Sequence, residues 1–271
     1  MTQSIGIVGL GLIGGSLAEA VRASFPSARI LGADSQPATI EEASKAEIFT
    51  ALCSSPDESW SGLDLVVVCV PLGALESVFT HLKSCISSST ILTDVIGVKT
   101  PVELAARKIL GEPNRFVGCH PMAGGIVPGF SNRKAELFKG FPVAICGSSE
   151  STIAQQLFEF WSGLGAEPLY MTADEHDRVV AFTSHLPYLS SVVLRDFAEN
   201  DETTQGLRGP GFQRATRYAA FLPEIMGPVV AGNPHVPELL REFAKRFEKL
   251  ASTLEESPQS LTEELKSGNE N

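Results

Sequence analysis

Few folds accommodate Gly9, Gly11 and Gly14 between an apolar run, Ile5 to Val8, and an amphipathic pattern carried by Leu17, Ala18 and Val21. The first glycine permits a tight turn out of a strand. The second lets the backbone approach a pyrophosphate, and the third lets strand and helix pack closely while the helix N-terminus faces the anion. Leu12 and Ile13 carry the chain into the helix. Alone this spacing is a weak signal. Asp34 strengthens it, because it ends the next apolar run about 20 residues beyond Gly14, where a carboxylate meets the ribose hydroxyls of a dinucleotide. The same acid would repel a 2′-phosphate, and Ser35-Gln36-Pro37 offers no Arg to hold one, so NAD is expected over NADP. Val70-Pro71, closing a third apolar run, fits the same cofactor edge. The structural alternative is a glycine-rich turn with Asp34 as a helix cap.

The pattern continues along the chain. Short runs rich in β-branched residues at Ile5 to Val8, Arg29 to Gly32, Leu65 to Val70, Thr90 to Asp94, Phe116 to Gly118 and Pro142 to Cys146 predict strands. Between them Leu12 to Ser24, Ala38 to Ala46, Leu75 to Ile86 and Pro101 to Leu110 have helical spacing. Ser151 to Leu164 predicts one more helix and Glu167 to Met171 one more strand. Apolar strands alternating with helices indicate an α/β fold, a Rossmann-like doubly wound and mostly parallel sheet covered on both faces. From Thr172 onward the spacing is helical, at Ala173 to Glu199, Gly211 to Arg217, Phe221 to Val230 and Pro237 to Glu255. We therefore expect an NAD-binding domain over 1–171 and an all-helical substrate and dimerisation domain over 172–271. Ala181 to Phe197 is apolar on most of its circumference, and a homodimer would bury the surplus face. Glu255 to Asn271 is polar and acidic and is expected to end in a frayed tail.

With 21 Lys plus Arg against 32 Asp plus Glu, the net charge of −11 excludes nucleic acid and anionic membranes as bulk electrostatic partners. The longest apolar run, Leu63 to Leu75, is interrupted by Asp64 and Pro71 and is too short to span a bilayer. Met1 to Ser4 carries no basic segment of the kind that opens a signal peptide. The five cysteines, Cys53, Cys69, Cys85, Cys119 and Cys146, form no CxxC pair and mostly sit in apolar runs, as reduced core cysteines do. These features point to a cytoplasmic protein without a metal site. The acidic balance conceals one cationic stretch: residues 206–218 hold Arg208, Arg214 and Arg217 and no acid.

The segment Gly118-Cys119-His120-Pro121-Met122-Ala123-Gly124 resembles the prephenate and arogenate dehydrogenases of tyrosine biosynthesis, the TyrA family. Further matches follow in order: residues 9–18 around the glycines, Cys69-Val70-Pro71, Thr93-Asp94 with Val98-Lys99, His176-Asp177, Ser184-His185-Leu186-Pro187, and Gly209-Pro210-Gly211-Phe212 with Thr216-Arg217. The resemblance spans nearly the whole chain. It implies NAD-dependent oxidative decarboxylation of prephenate, a small dicarboxylate, to 4-hydroxyphenylpyruvate, in a homodimer.

Such chemistry removes hydride from the hydroxyl-bearing ring carbon while the ring carboxylate leaves as carbon dioxide, so the protein must hold geometry and manage one proton. His120, expected just after an apolar strand at the carboxyl end of the sheet, can accept that proton. The resemblance assigns Arg217 to a substrate carboxylate, a task suited to a planar guanidinium, with Arg214 beside it. It places His185 at the substrate, facing the cofactor domain; a satisfied interhelical histidine is the competing reading.

Several positions depart from the family pattern. Gly97 stands where relatives usually carry a Ser that contacts the substrate hydroxyl. Gly125-Ile126-Val127-Pro128 replaces a Ser or Thr followed by Glu, Tyr188 replaces a second His, and Arg214 replaces an acid. Arogenate carries an ammonium that would require a carboxylate partner, and these changes remove acids and add a cation, so prephenate is favoured. Arogenate or a modified prephenate is the alternative substrate. A catalytically silent NAD-binding regulator would have no need of His120 and Arg217. Hydroxy-acid dehydrogenases share the first half but generally rely on a Lys in their helical half, and Arg178 to Arg195 contains none.

Overall fold

In a computed structural model, residues 4–112 and 115–267 are described. Strand β1 (Ser4–Val8) sends Ile5 and Ile7 into one core and Val8 into another, while Gly6 lies under the Trp60 ring. Strand β4 (Leu65–Val68) divides in the same way, with Leu65 and Val67 on one face and Val66 and Val68 on the other. Burial on both faces explains why these runs are continuously apolar. With β2 (Arg29–Ala33), β3 (Ala51–Cys53) and β5 (Ile91–Asp94) they form a five-stranded parallel sheet in the order β3-β2-β1-β4-β5. Helices α1 (Leu12–Ser24), α2 (Pro37–Ser44), α3 (Leu75–Cys85) and α4 (Thr100–Leu110) accompany these strands. The sequence pattern did not disclose β3, whose three residues run directly into Ser54-Ser55-Pro56 and are too few to establish a period.

The remaining strands depart from a single continuous sheet. Strands β6 (Gly118–Pro121), β7 (Pro142–Cys146) and β8 (Glu167–Met171) form a separate three-stranded sheet, β6 antiparallel to β7 and β8 parallel to it, with α5 (Thr152–Gly163) between β7 and β8. One parallel bridge, Leu92 with Phe116, reaches toward the first sheet. Side chains account for the break. Thr93 Oγ1 donates to the Val117 carbonyl (2.7 Å) and Lys99 Nζ to the Cys119 carbonyl (2.6 Å), occupying acceptors that a longer parallel ladder would use. The strand expected over Phe116 to Gly118 accordingly begins at Gly118, and His120 lies within it rather than after it.

The helical part opens at α6 (Ala173–Val180) with a capping box, Thr172 and Glu175 each bonding the other's backbone N–H. A π-type turn, Ala181–His185, leads into α7 (Leu186–Glu199). Pro187 has no N–H to offer the Thr183 carbonyl, and an expanded turn relieves that mismatch. The helix expected from Ala173 to Glu199 thus keeps those bounds and carries a π-type turn in its middle. Helices α8 (Pro210–Ala215), α9 (Pro223–Ala231) and α10 (Val236–Glu256) follow. The expected frayed tail is corrected in part: α11 (Leu261–Ser267) folds back so that Lys249 and Glu264 pair at 2.5 Å. Residues 268–271, like residues 1–3 of the amino-terminal segment, lie outside the described residues. Among the described residues no helix is long and apolar enough to cross a membrane.

Candidate active site

At the carboxyl ends of β1 and β2 the glycines hold distinct positions. Gly9 has φ +91°, a backbone that L side chains rarely adopt, and its N–H donates to the Ala33 carbonyl at 2.8 Å. A Cβ on Gly14 would sit 1.9 Å from the Gly9 carbonyl oxygen, so strand and helix can approach only over a glycine there. A Cβ on Gly11 would meet nothing within 4 Å. That space, beside the first turn of α1, is where a pyrophosphate would come against the backbone. The Asp34 carboxylate is anchored by the Leu10 N–H (2.7 Å) and the Gln36 N–H (2.8 Å), leaving further lone pairs for ribose hydroxyls. A cavity of ≈ 300 Å³ opens here, lined in part by Gly9, Asp34, Ser35, Ser55, Val70 and His81. Pro71 leads into a tight turn, Leu72–Ala74. Leu12 and Ile13 face another segment, since a Cβ on Gly125 would lie 3.2 Å from Leu12 and one on Gly124 3.9 Å from Ile13. These residues fit a dinucleotide. A larger cavity, ≈ 540 Å³, lies at the amino ends of the strands beside Gly62 and Ser89, away from the glycines and His120.

The second half of the site is a chain of side chains crossing from the sheets to the helical part. His120, opposite Ala144 in the β6–β7 ladder, has its Nδ1 2.8 Å from His176 Nε2 on α6. His176 Nδ1 is in turn 2.8 Å from Asp177 Oδ1. The Asp177 carboxylate also accepts the Lys99 N–H (2.7 Å) and the Thr100 N–H (2.8 Å) at the start of α4. Lys99 is fully buried, pairing with Asp94 and donating to the Cys119 carbonyl, while Asp94 accepts the Ile96 N–H. The other ring nitrogen of His120 faces Gly97: a Cβ on Gly97 would lie 3.6 Å from His120 Nε2 and 3.4 Å from Val229 of α9.

Burial dominates the acidity of these groups. It holds His120 well below the ordinary 6.5, and the positive charge of Lys99 acts in the same direction. It also lowers His176, although the Asp177 hydrogen bond opposes it, and it brings His185 to about 4. Burial pushes Asp177 upward, but hydrogen bonds from His176, Thr100 and Lys99 outweigh it and hold the carboxyl below its usual range. Burial raises Asp94 against the opposing charge of Lys99. The arrangement is therefore a neutral imidazole with one free nitrogen, backed by an ionised carboxylate at one remove.

The structure brings Gly97, His120 and the neighbourhood of His185 together. His185 is buried, its Nδ1 accepting from Asn233 Nδ2 (3.1 Å), which also donates to the Asp177 carbonyl (2.7 Å). It has the bonds of a satisfied interhelical histidine while lying beside the Gly97 backbone. Arg214 and Arg217 are exposed, the Arg217 guanidinium 5.0 Å from the Tyr218 ring centre. Among the described residues no hydrogen bond or ring contact joins either arginine to His120. Sequence reasoning gave no site role to His176, Asp177, Lys99 or Asn233. The first three lay in matched segments, and the adjacent His-Asp pair just inside a capping box was the available signal.

Residues 17–170 match the family model for the nucleotide-binding domain of prephenate dehydrogenase, and residues 172–267 the model for its dimerization domain. Prephenate dehydrogenase of Lactococcus lactis subsp. cremoris is 28% identical over 259 residues, which cover 92% of this chain and 70% of that protein. Cyclohexadienyl dehydrogenase of Zymomonas mobilis is 29% identical over 262 residues, covering 93% of this chain and 88% of that one. The crystal structure of prephenate dehydrogenase from A. aeolicus, in complex with hydroxyphenyl propionate and NAD+, superposes with a TM-score of 0.91 at 27% identity, covering 99% of this chain and 96% of that one.

Proposed function

The chain belongs to the prephenate dehydrogenase family, and from that premise we propose that it oxidises prephenate with NAD, releasing carbon dioxide and 4-hydroxyphenylpyruvate. The observation that carries this reading is a neutral, half-buried His120 whose Nε2 is turned toward Gly97. NAD, when bound, supplies the hydride acceptor. Gly9, Gly11 and Gly14 would hold its pyrophosphate and Asp34 its ribose. His120 Nε2 takes the hydroxyl proton as hydride leaves the same carbon and the C–CO₂ bond breaks. The ring becomes a phenolate, and the proton returns from Nε2 to its oxygen, so His120 ends as it began. Burial favours this role, because a histidine with lowered basicity is unprotonated at neutral pH and ready to accept.

Prephenate is preferred over arogenate on electrostatic grounds. An ammonium would need a carboxylate, yet Asp177 is committed to His176 and backbone N–H groups, Asp94 is fully buried with its charge paired to Lys99, and residues 125–128 contain no acid. Arg214 and Arg217 supply the cations for the substrate carboxylates. The helical part forms a homodimer, supported by the exposed apolar side chains Phe182, Val193, Leu194 and Phe197. Five unpaired cysteines support a reducing, cytoplasmic setting. We further assign residues 1–171 to cofactor binding and 172–271 to substrate binding and dimerisation.

The test follows reduced cofactor with the purified protein, NAD or NADP, and prephenate or arogenate at equal concentrations. Turnover should be highest with NAD and prephenate, and His120→Asn should lower kcat by about 10²–10⁴-fold while NAD binding persists. A strong preference for arogenate, or full activity in the variant, would reject this assignment.

A further inference from the structure

We propose that His176 and Asp177 are positioning residues for the reaction, fixing the proton of His120 on Nδ1 so that Nε2 presents a bare lone pair to the substrate hydroxyl. The proposal rests on the reading of His120 as the base. It follows from proton counting along three groups. Asp177 is an ionised carboxylate and can only accept, so the proton between it and His176 sits on His176 Nδ1. A neutral His176 then offers only a lone pair at Nε2. Across 2.8 Å the partner nitrogen, His120 Nδ1, must supply the hydrogen. A neutral imidazole carries one such proton, which leaves His120 Nε2 unprotonated on the side of Gly97. Without the relay both tautomers would compete, and the one with hydrogen on Nε2 cannot accept a proton there.

The geometry also separates this role from support of the fold. Asp177 caps α4 through the Lys99 and Thr100 N–H groups, and neither bond involves His176. His176 is nevertheless buried with both ring nitrogens engaged, one toward the carboxylate and one toward the base. When Nε2 takes a proton, His120 becomes a half-buried cation. Of the groups that face it, Lys99 from the β5–α4 connection opposes that charge, Asp94 is already paired with Lys99, and His185 from the π-type turn is neutral. Asp177, acting through His176, is the group that stabilises it. A carboxylate behind a catalytic histidine sets tautomer and orientation in the same physical way elsewhere, without taking the proton itself.

The experiment uses the full chain with His176→Leu, His176→Gln and, as reference, His120→Asn, measuring kcat, KM for prephenate, NAD affinity, thermal unfolding and the pH dependence of kcat/KM. Leu leaves the His120 Nδ1–H without an acceptor, and kcat should fall by about 100-fold with NAD affinity unchanged. Gln supplies a carbonyl acceptor, so it should recover about tenfold of that loss. Its acid limb should move to lower pH, because the link to the Asp177 charge is cut. Turnover within about threefold of the parent in the Leu variant, or equal losses in both, would overturn the proposal. Should the Leu variant fail to fold, the Gln variant decides: a shifted acid limb supports the proposal and an unshifted one overturns it. Full activity of His120→Asn would instead remove the base assignment itself, a separate failure.

Discussion

Gly11→Ala and Gly14→Ala should fail in opposite ways. At Gly14 the added methyl would sit 1.9 Å from the Gly9 carbonyl oxygen, a backbone atom that cannot rotate aside. Relief requires moving the Gly9–Gly11 turn away from α1. Over-packing of this kind costs about 3 kcal/mol at the upper end of its usual range, and the better helix propensity of Ala returns about 1 kcal/mol. The net of roughly 2 kcal/mol should lower the unfolding midpoint of a chain this size by about 4–8 °C. At Gly11 the methyl meets nothing within 4 Å, and φ of −71° suits Ala. Only the small preference for Gly at a helix N-cap is lost, and the midpoint should stay within about 2 °C. The methyl occupies the pyrophosphate's line of approach, however, and NAD affinity should drop at least about tenfold.

Thermal unfolding with and without NAD separates the two. At about 100 times its Kd a ligand adds about 2.7 kcal/mol to folding stability, so the parent should gain several degrees with NAD. Gly11→Ala should lose about half of that gain or more at the same concentration, and Gly14→Ala should start lower before any ligand is added. The reasoning is refuted if Gly14→Ala melts with the parent, or if Gly11→Ala gains from NAD as the parent does.

Stability should fall as acid is added through the histidine range. His120, His176 and His185 all have folded-state basicities displaced below 6.5, so the unfolded chain binds protons that the native chain does not. Their contribution is complete above 6.5 and is lost progressively below it, down to about 4 for His185; urea midpoints flat between pH 7 and 4.5 would contradict this. Gly97→Ser should fold normally, since its Cβ makes ordinary contacts with Val229 and His120. Its hydroxyl beside Nε2 should lower KM for prephenate about threefold to tenfold, the worth of one hydrogen bond, and a raised KM would show that the space is needed empty. Phe197→Glu, on the exposed apolar face of α7, should shift the protein from dimer to monomer in sedimentation at micromolar concentration; an unchanged dimer would place the interface elsewhere.

Much of the glycine turn and its neighbouring acid was legible because their determinants are local. Gly9, Gly14 and Asp34 act within one strand-turn-helix unit and the strand beside it, where chain connectivity sets the distances. The same locality made α1, β7 and β8 readable to the residue. Errors clustered where side chains from distant segments intervened. Thr93 and Lys99 took carbonyls from the strand containing His120 and split the expected sheet in two. A local feature was missed as well: Pro187 widens the preceding turn to a π-type one inside a helix whose bounds the apolar spacing gave.

By itself, then, the sequence determined an α/β first half, a glycine turn with an acid just after the second strand, and a helical second half. Those properties follow from spacing within short segments and from the chemistry of single residues. Only the tertiary structure decided that His176 stands behind His120, that Asp177 joins that pair to the start of α4, and that Gly97 faces Nε2. His120 and His176 are 56 positions apart. Their 2.8 Å contact depends on how α6 packs against α4 and β7, a placement set by many long-range contacts together and written in no local pattern.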